Sequence, residues 1–553
     1  MSLALVAGAC SSDSKGGVSD DTSASTPVTT PVTGGGNISV PPTDPPLTPT
    51  AGGTLRYGIE ADVDGLNPTT SAFSAPGYLM GNAVFDNLAN LDENGKAVPF
   101  LAESFTPSAD FISWTVKLRP GIKFHDGTDL NAEAVKTAFE AQLAAPLVGL
   151  AVRPFYPETG AIEIVDDLTV KWNLLEANAY FPNALTSQLG MVPSPVWLAA
   201  AKADPTLNQA PVGTGPFIYD SRSQDSVTKF VRNPDYWGGE VLLDAIEFYP
   251  VTDAAGMLDL LVNGELDAMQ TTDQQSIIDL KDQADTFNSG FDDTGEESFA
   301  MINSQTAPFD DIRVRQALTY ATPLENYRTL IGLGISRPAD QEFTPESKYY
   351  NPDVKQEGDQ PDKAIALATE YCGEKPDMCT DGKINMEYQF SGPSVVQTRI
   401  SEILNEGWKV AFNVKFDELS QADHIQQTAF GQYNVNTWRQ FGAADPWADN
   451  VWLLCRTVGG ISLNWPRYCD PARDTLLLKA QASTDDAERV ALYKELVQNM
   501  HDAYTYVFFT HTIWANSFAK KVHGTCGRTS PEGIVLKCAN NGTTWYNTTW
   551  MES

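Results

Sequence analysis

Positive charge is what this chain has least of. Lys and Arg number 37 against 71 Asp and Glu, a formal net charge of −34 over 553 residues. So acidic a surface repels a phosphate backbone, which excludes nucleic-acid binding through a basic face. Docking on anionic lipid through a polybasic patch is disfavoured for the same reason. Long apolar runs are missing too: past residue 10 none approaches the roughly 18–20 residues that span a bilayer, so no transmembrane helix is expected. Histidine is scarce. His125, His424, His501, His511 and His523 are scattered without ligand spacing, so neither a metal site nor a cofactor is predicted. The nucleophile elbow, the phosphate-binding loop, the dinucleotide fingerprint and the H-E-x-x-H helix are all absent. Acid pairs are unavoidable among 71 carboxylates, so their abundance does not identify a glycosidase. No catalytic constellation stands out, so an enzyme is not expected.

What is present can build a core. Apolar residues make up 42% and charged residues 20%, and the length exceeds one ordinary domain, so an acidic multidomain globule is expected. The start of the chain differs from the rest. Leu3-Ala-Leu-Val-Ala-Gly-Ala9 is a short apolar run ending in small residues before Cys10, the way a bacterial lipoprotein signal ends, although no basic segment precedes it. Residues 1–10 are read as the remnant of that signal, with lipid on Cys10. From Ser11 to Gly53, 29 of 43 residues are Ser, Thr, Pro or Gly. Such a stretch cannot bury enough apolar surface to offset its ordering entropy, so residues 11–53 are expected to form a disordered tether. The protein is thereby placed outside the cytoplasm, touching the membrane through lipid alone.

Seven cysteines are an odd count. With Cys10 given to lipid, six remain: Cys372 and Cys379, Cys455 and Cys469, Cys526 and Cys538, with 6, 13 and 11 residues between the members of each pair. Nearby thiols meet at low loop-closure cost, and no C-x-x-C suggests zinc, so three sequential disulfides are predicted.

Strand-like runs begin with Thr54–Ile59 and recur at Trp114–Leu118, Ile162–Val165, Leu168–Trp172, Phe217–Tyr219, Ile246–Tyr249, Phe299–Ile302, Ile384–Phe390 and Val507–Thr510. Helical stripes lie between them: Val135, Ala138, Phe139 and Gln142 behind an Asn131 cap; Val314, Ala317 and Leu318 behind Asp310 or Asp311; Val396, Ile400, Ile403 and Leu404; and Val490, Tyr493, Leu496, Val497 and Met500. Mixed strands and helices without internal repeats make an α/β class with more than one lobe. Twelve Trp, 19 Tyr and 25 Phe include a cluster from Trp438 to Trp447 that holds Arg439 and Asp445. Aromatics beside both charges suit a polar, zwitterionic or sugar-like solute, or else an aromatic core with its charges in solvent.

Four ordered segments then carry a resemblance. They are Phe100-Leu-Ala-Glu-Ser104 with Trp114-Thr-Val-Lys-Leu-Arg-Pro-Gly-Ile-Lys-Phe-His-Asp-Gly127; Pro211-Val-Gly-Thr-Gly-Pro-Phe217 with Arg232-Asn-Pro-Asp-Tyr-Trp237; Pro308-Phe-Asp-Asp-Ile-Arg-Val-Arg-Gln-Ala-Leu318; and Arg489-Val-Ala-Leu-Tyr493. Together they resemble the family 5 extracellular solute-binding proteins, the oligopeptide- and dipeptide-binding components of ABC importers. The resemblance implies a two-lobed periplasmic-binding-protein-like α/β fold. Lobe I would be residues 54–300 plus 512–553, with an inserted subdomain at about 88–195, and lobe II residues 301–511. Chain crossings are expected near Phe299–Asn303 and Phe508–Trp514. It further implies a monomer that captures a small solute, a peptide by family frequency, and hands it to a membrane permease. Other members bind oligosaccharides or nickel complexes, and a secreted hydrolase is the alternative from another class. Peptide binders often place an acid before a second Asp-Pro to receive the peptide ammonium, and Asp445-Pro446 matches either position. The expected ligand contacts are Glu60 and Asp62 after the first strand, where α/β folds place ligands, with Trp438, Arg439, Phe441 and Asp445 from lobe II.

Overall fold

The structure, a computed structural model, describes residues 48–293, 295–443 and 445–552. Cys10 and the expected tether as far as residue 47 lie outside them. The chain is already fastened a little ahead of the first strand: Thr50 Oγ1 donates to the Met551 carbonyl at 3.1 Å and the Gly52 amide to that of Leu242 at 2.8 Å.

Two large sheets organise everything described. The first has seven strands, in spatial order Phe287–Asp292, Trp514–Ala519, Ala268–Thr271, Thr54–Ile59, Ala245–Pro250, Val227–Arg232 and Phe217–Ser223. Thr54–Ile59 lies near its centre, parallel to both neighbours, with Leu55, Tyr57 and Ile59 all buried. The second runs Cys379–Thr380, Lys383–Ser391, Val435–Gln440, Glu297–Ile302 and Tyr506–His511, with Phe412–Leu419 added in parallel beside Lys383–Ser391. A smaller antiparallel sheet of Ala102–Pro107, Ser113–Leu118, Thr169–Asn173 and Ile162–Asp166 has its own core around Trp114, Phe139, Trp172 and Phe181. Each strand-like run read from the sequence falls within one of these strands, except that Leu168 stands one residue ahead of Thr169–Asn173.

The chain passes between the two large sheets twice, after Asp292 and after His511. The first passage is earlier than the expected Phe299–Asn303, because Glu297–Ile302 already pairs with Val435–Gln440 on one side and Tyr506–His511 on the other. The passages are tied together where they run side by side: the Thr512 amide donates to the Glu296 carbonyl at 2.7 Å, and Trp514 Nε1 to Glu296 Oε2 at 2.9 Å.

Helix starts follow local chemistry. Asn131 accepts from the Ala134 amide at the head of Ala132–Ala144, Asp311 from that of Arg313 ahead of Ile312–Ala321, and Asp485 from that of Glu488 ahead of Asp486–Ala503. Such caps satisfy otherwise unpaired amides and contribute about 1 kcal/mol each. The helix Val395–Trp408 departs from its expected stripe: Val396 is exposed in the first turn, and burial begins at Ile400.

The three disulfides form as predicted, Cys372–Cys379, Cys455–Cys469 and Cys526–Cys538, with Cα–Cα separations of 5.7, 4.5 and 4.9 Å. Non-reducing peptide mapping should return these pairs with no alkylated thiol among the six. Replacing Cys455 and Cys469 together by Ser should lower stability by about 2–4 kcal/mol in a denaturant melt.

Candidate functional site

The carboxyl ends of Thr54–Ile59 and Ala268–Thr271 face the end of the strand Val435–Gln440, which belongs to the other large sheet. Glu60 and Thr272 are the first residues past the two strand ends, and Arg439 reaches across to both. Its Nη1 donates to Thr272 Oγ1 at 2.9 Å and its Nη2 to Glu60 Oε1 at 3.3 Å, while Thr272 Oγ1 donates to Glu60 Oε2 at 3.0 Å. The guanidinium carbon stands 5.2 Å from the ring centroid of Trp514, whose Nε1 holds Glu296. Desolvation works against the Arg439 charge, but Glu296 and Glu60 outweigh it and hold the guanidinium above its usual range. Burial raises Glu296, and Arg439 draws it back only in part. The Arg439 side chain is nevertheless 39% exposed. The cation is thus walled by two acids and an indole yet open to water. The Arg439–Glu60 pair is worth at most about 1 kcal/mol in such a wet setting, weak enough to be exchanged for a ligand.

Glu60 and Arg439 are thus brought together, and the other expected residues are not. Asp62 accepts from Arg222 Nη2 at 2.9 Å and from the Asp225 amide at 2.7 Å, so its charge is matched where the hairpin after Phe217–Ser223 folds back. Asp445 is buried against Arg489 and accepts from the Trp447 amide at 3.1 Å, which leaves no free charge for an amine. Trp438 packs between His424 and Trp465, at centroid distances of 5.0 and 4.5 Å. Phe441 is buried against Phe299 and Tyr506 at 5.7 and 5.5 Å. Its φ of +70° breaks the strand alternation and turns its ring onto the face of Phe299, opposite Arg439. Gly442 follows with φ +83°, and a Cβ there would lie 2.4 Å from the backbone carbon of Gly295, so only glycine lets this loop run against the inter-sheet passage.

Sequence reasoning missed an acidic group on that opposite face. Glu297, directly across from Gln440 in the pairing register, is fully buried, with Oε1 2.9 Å from His511 Nδ1. Glu342 has both carboxylate oxygens buried without a partner among the described residues, and Asp449 accepts from the Ala443 amide at 3.3 Å. Burial pushes Glu342 and Asp449 up to about 7. Burial first, then repulsion from Glu342, Asp449 and Glu296, pushes Glu297 well above the carboxylate range. Desolvation takes His511 down to about 4, so its contact with Glu297 is a neutral hydrogen bond at neutral pH. The only sequence signal was a pair of adjacent glutamates opening an apolar strand.

Comparisons with known proteins agree in one direction. The family model for bacterial extracellular solute-binding proteins, family 5, matches residues 96–460. Di/tripeptide-binding protein 2 of Pseudomonas aeruginosa is 27% identical over 507 residues, covering 85% of this chain and 92% of the relative. The nickel-binding periplasmic protein of Escherichia coli is 25% identical over 454 residues, covering 77% and 83%. The periplasmic binding protein DppA from Helicobacter pylori, solved with the peptide STSA, superposes with a TM-score of 0.79 at 21% identity, covering 91% and 99%. That likeness shows the two-lobed fold.

The buried acids set a pH dependence. Glu342 and Asp449 hold protons in the folded state that the unfolded chain has released, so the stability they contribute is full below the unfolded carboxylate value and lost as pH rises through about 7. His511 and His424, pushed down to about 4, contribute a slope of opposite sign only below their unfolded value of about 6.5. Stability should therefore fall between pH 6.5 and 8, by roughly 1 kcal/mol per carboxylate. Thermal melts across that window should show the fall, and Glu342→Gln should flatten it.

Proposed function

We propose, from the premise that this chain belongs to family 5 of the bacterial extracellular solute-binding proteins, that it captures a peptide in the seam between its two large sheets. As a member of that family it is a solute-binding component of an ABC importer and not an enzyme, which removes the hydrolase alternative. Taking the passages after Asp292 and His511 as boundaries revises the expected lobes, 54–300 plus 512–553 and 301–511, to residues 54–292 with 514–552 and 297–511, with the smaller sheet inserted in the first. Closure of one on the other buries the ligand, which a membrane permease then accepts.

The observation that carries the peptide reading is Arg439. Its planar fork spans the seam, is open to water, and is held by one weak ion pair and one hydroxyl. A peptide carboxylate can take both forks in place of Glu60 and Thr272 and gain charge-assisted hydrogen bonds that strengthen as the seam closes. The names of relatives such as the di/tripeptide-binding protein of Pseudomonas aeruginosa support the same class. The three disulfides suit an oxidising compartment, and lipid on Cys10 followed by a Ser/Thr/Pro/Gly tether would hold a monomer beside the membrane and its permease.

Calorimetry with dialanine tests the site. Arg439→Ala should weaken binding by about 2–5 kcal/mol with the fold intact. Asp445→Ala should instead destabilise the fold, by about 3–5 kcal/mol, because it strands the buried Arg489 charge. Unchanged dialanine affinity in Arg439→Ala would remove the carboxylate contact, and binding of an oligosaccharide or of nickel with histidine in place of dialanine would replace the peptide reading.

The anchor is tested separately. In cells making the full chain, Cys10→Ser should move the protein from the membrane fraction to the medium or the periplasm, and continued membrane retention would contradict lipid attachment.

A further inference from the structure

The inserted subdomain is attached to both lobes. To lobe I it is joined by the chain itself and by bonds such as that from the His125 amide to the Gly213 carbonyl at 2.9 Å, just ahead of Phe217–Ser223. Its other attachment is to lobe II, through the segment Glu176–Tyr180 that follows the strand Thr169–Asn173. The Ala179 amide donates to the Gln481 carbonyl at 2.9 Å, and Gln481 Nε2 donates back to the Ala177 carbonyl at 3.1 Å. The Tyr180 hydroxyl donates to the Ser483 carbonyl at 3.1 Å, and Trp447 Nε1 to the Tyr180 carbonyl at 3.0 Å. Glu176 and Arg456 form an ion pair at the rim. There Arg456 also stands 5.7 Å from the Phe155 ring centroid, and Phe155 meets Trp447 edge-on at 5.8 Å. These residues lie in neither passage between the large sheets, and Arg439, Glu60 and Thr272 are held by other bonds.

This contact is built as a surface that can part. Its acceptors are main-chain carbonyls, and Glu176, Ala177, Ala179 and Tyr180 are only half buried. Polar, half-exposed surfaces of this kind join domains that move against each other. Parting it strands no charge: Arg489 loses the Tyr180 ring but keeps Asp445, the Ala480 carbonyl and the Tyr349 hydroxyl, all within lobe II. Each half also keeps its own hold. Trp114 Nε1 donates to the Asn178 carbonyl at 2.9 Å inside the subdomain, and Asn450 Nδ2 to Gln481 Oε1 at 2.9 Å inside lobe II.

We propose that the inserted subdomain is a latch: Glu176–Tyr180 holds lobe II against lobe I before any ligand arrives, and the seam opens only when that contact releases. The proposal rests on the two-lobed fold and not on what the seam binds. Because the latch has protein on both sides, it stabilises the closed form equally with and without ligand. It therefore slows entry and exit together, and leaves the equilibrium affinity nearly unchanged while the ligand-free protein is mostly closed. A ligand contact such as Arg439 acts differently, chiefly on exit.

Two measurements test the latch. In the full chain carrying Cys10→Ser, Glu176→Cys and Arg456→Cys can be joined by a short bis-maleimide, the other six cysteines being paired. In small-angle scattering without ligand, the linked protein should have the radius of gyration of the wild type. A smaller radius on linkage, or failure of the two thiols to link, overturns the proposal. The second measurement is stopped-flow binding of dialanine. Arg456→Glu sets like charges against each other at the rim, where both side chains reach water and the fold of each half is untouched: Glu176 is 37% exposed and Arg456 27%. It should raise the association and dissociation rates by at least about threefold each, with affinity held within about twofold. Adding Glu176→Arg should restore the wild-type rates. A rise in dissociation alone, or no change in either rate, overturns the latch. If dialanine does not bind the wild type, the peptide reading fails and the scattering comparison decides the latch by itself.

Discussion

Arg489 is buried, and the loop that carries both faces of the candidate site is fixed by what it touches. Its charge is matched by Asp445, its Nε donates to the Ala480 carbonyl at 3.0 Å, its Nη1 to the Tyr349 hydroxyl at 2.6 Å, and its guanidinium carbon stands 3.6 Å from the Tyr180 ring centroid. A guanidinium this deep is tolerable only when charge and hydrogen bonds are matched together, which makes the arrangement all-or-none. Asp445 in turn starts the short helical turn Pro446–Trp452, and Trp447 Nε1 donates to the Tyr180 carbonyl at 3.0 Å. One buried cation thus joins the helix Asp486–Ala503, this turn and the segment around Tyr180. Arg439 lies a few residues to one side of that anchor and Asp449 a few to the other, so the distance between the open cation and the hidden acids is set by a structural pair that takes no ligand itself.

The separation of those two chemistries is a consequence of the strand pleat. Successive residues of Val435–Gln440 point to opposite faces, and the antiparallel register places Ser298 across from Arg439 and Glu297 across from Gln440. One face meets the seam and water, and the other meets Phe299, Tyr506 and Phe508. A single polar strand therefore presents a hydrated cation on one side and a neutral amide beside buried acids on the other. The left-handed turn at Phe441 ends the alternation and closes the aromatic side with a fourth ring.

Features with a local cause were legible before the fold was seen. Thr54–Ile59 alternates and is followed by loop residues, Asn131 and Asp311 sit where helix amides need acceptors, and the six cysteines pair with their nearest sequence neighbours. The ordered motifs from Phe100 to Tyr493 identified the family for the same reason, since they mark turns and helix ends. What failed was partner assignment across the fold. Asp62 and Asp445 look like free acids in the sequence, but Arg222 and Arg489 reach them from 160 and 44 residues away. Glu342 carried no signal because its burial is produced by elements distant in sequence, and Phe441 resembled a ligand contact because its φ cannot be read from residue type.

The overall charge and the hidden acids bear on each other. A chain with a formal charge of −34 surrounds itself with a potential that draws cations toward any opening, which raises their local concentration without choosing among them. Choice comes from the interior. A small hydrated ion would have to give up its water to reach carboxylates set among rings, and those carboxylates are too dispersed to replace that water.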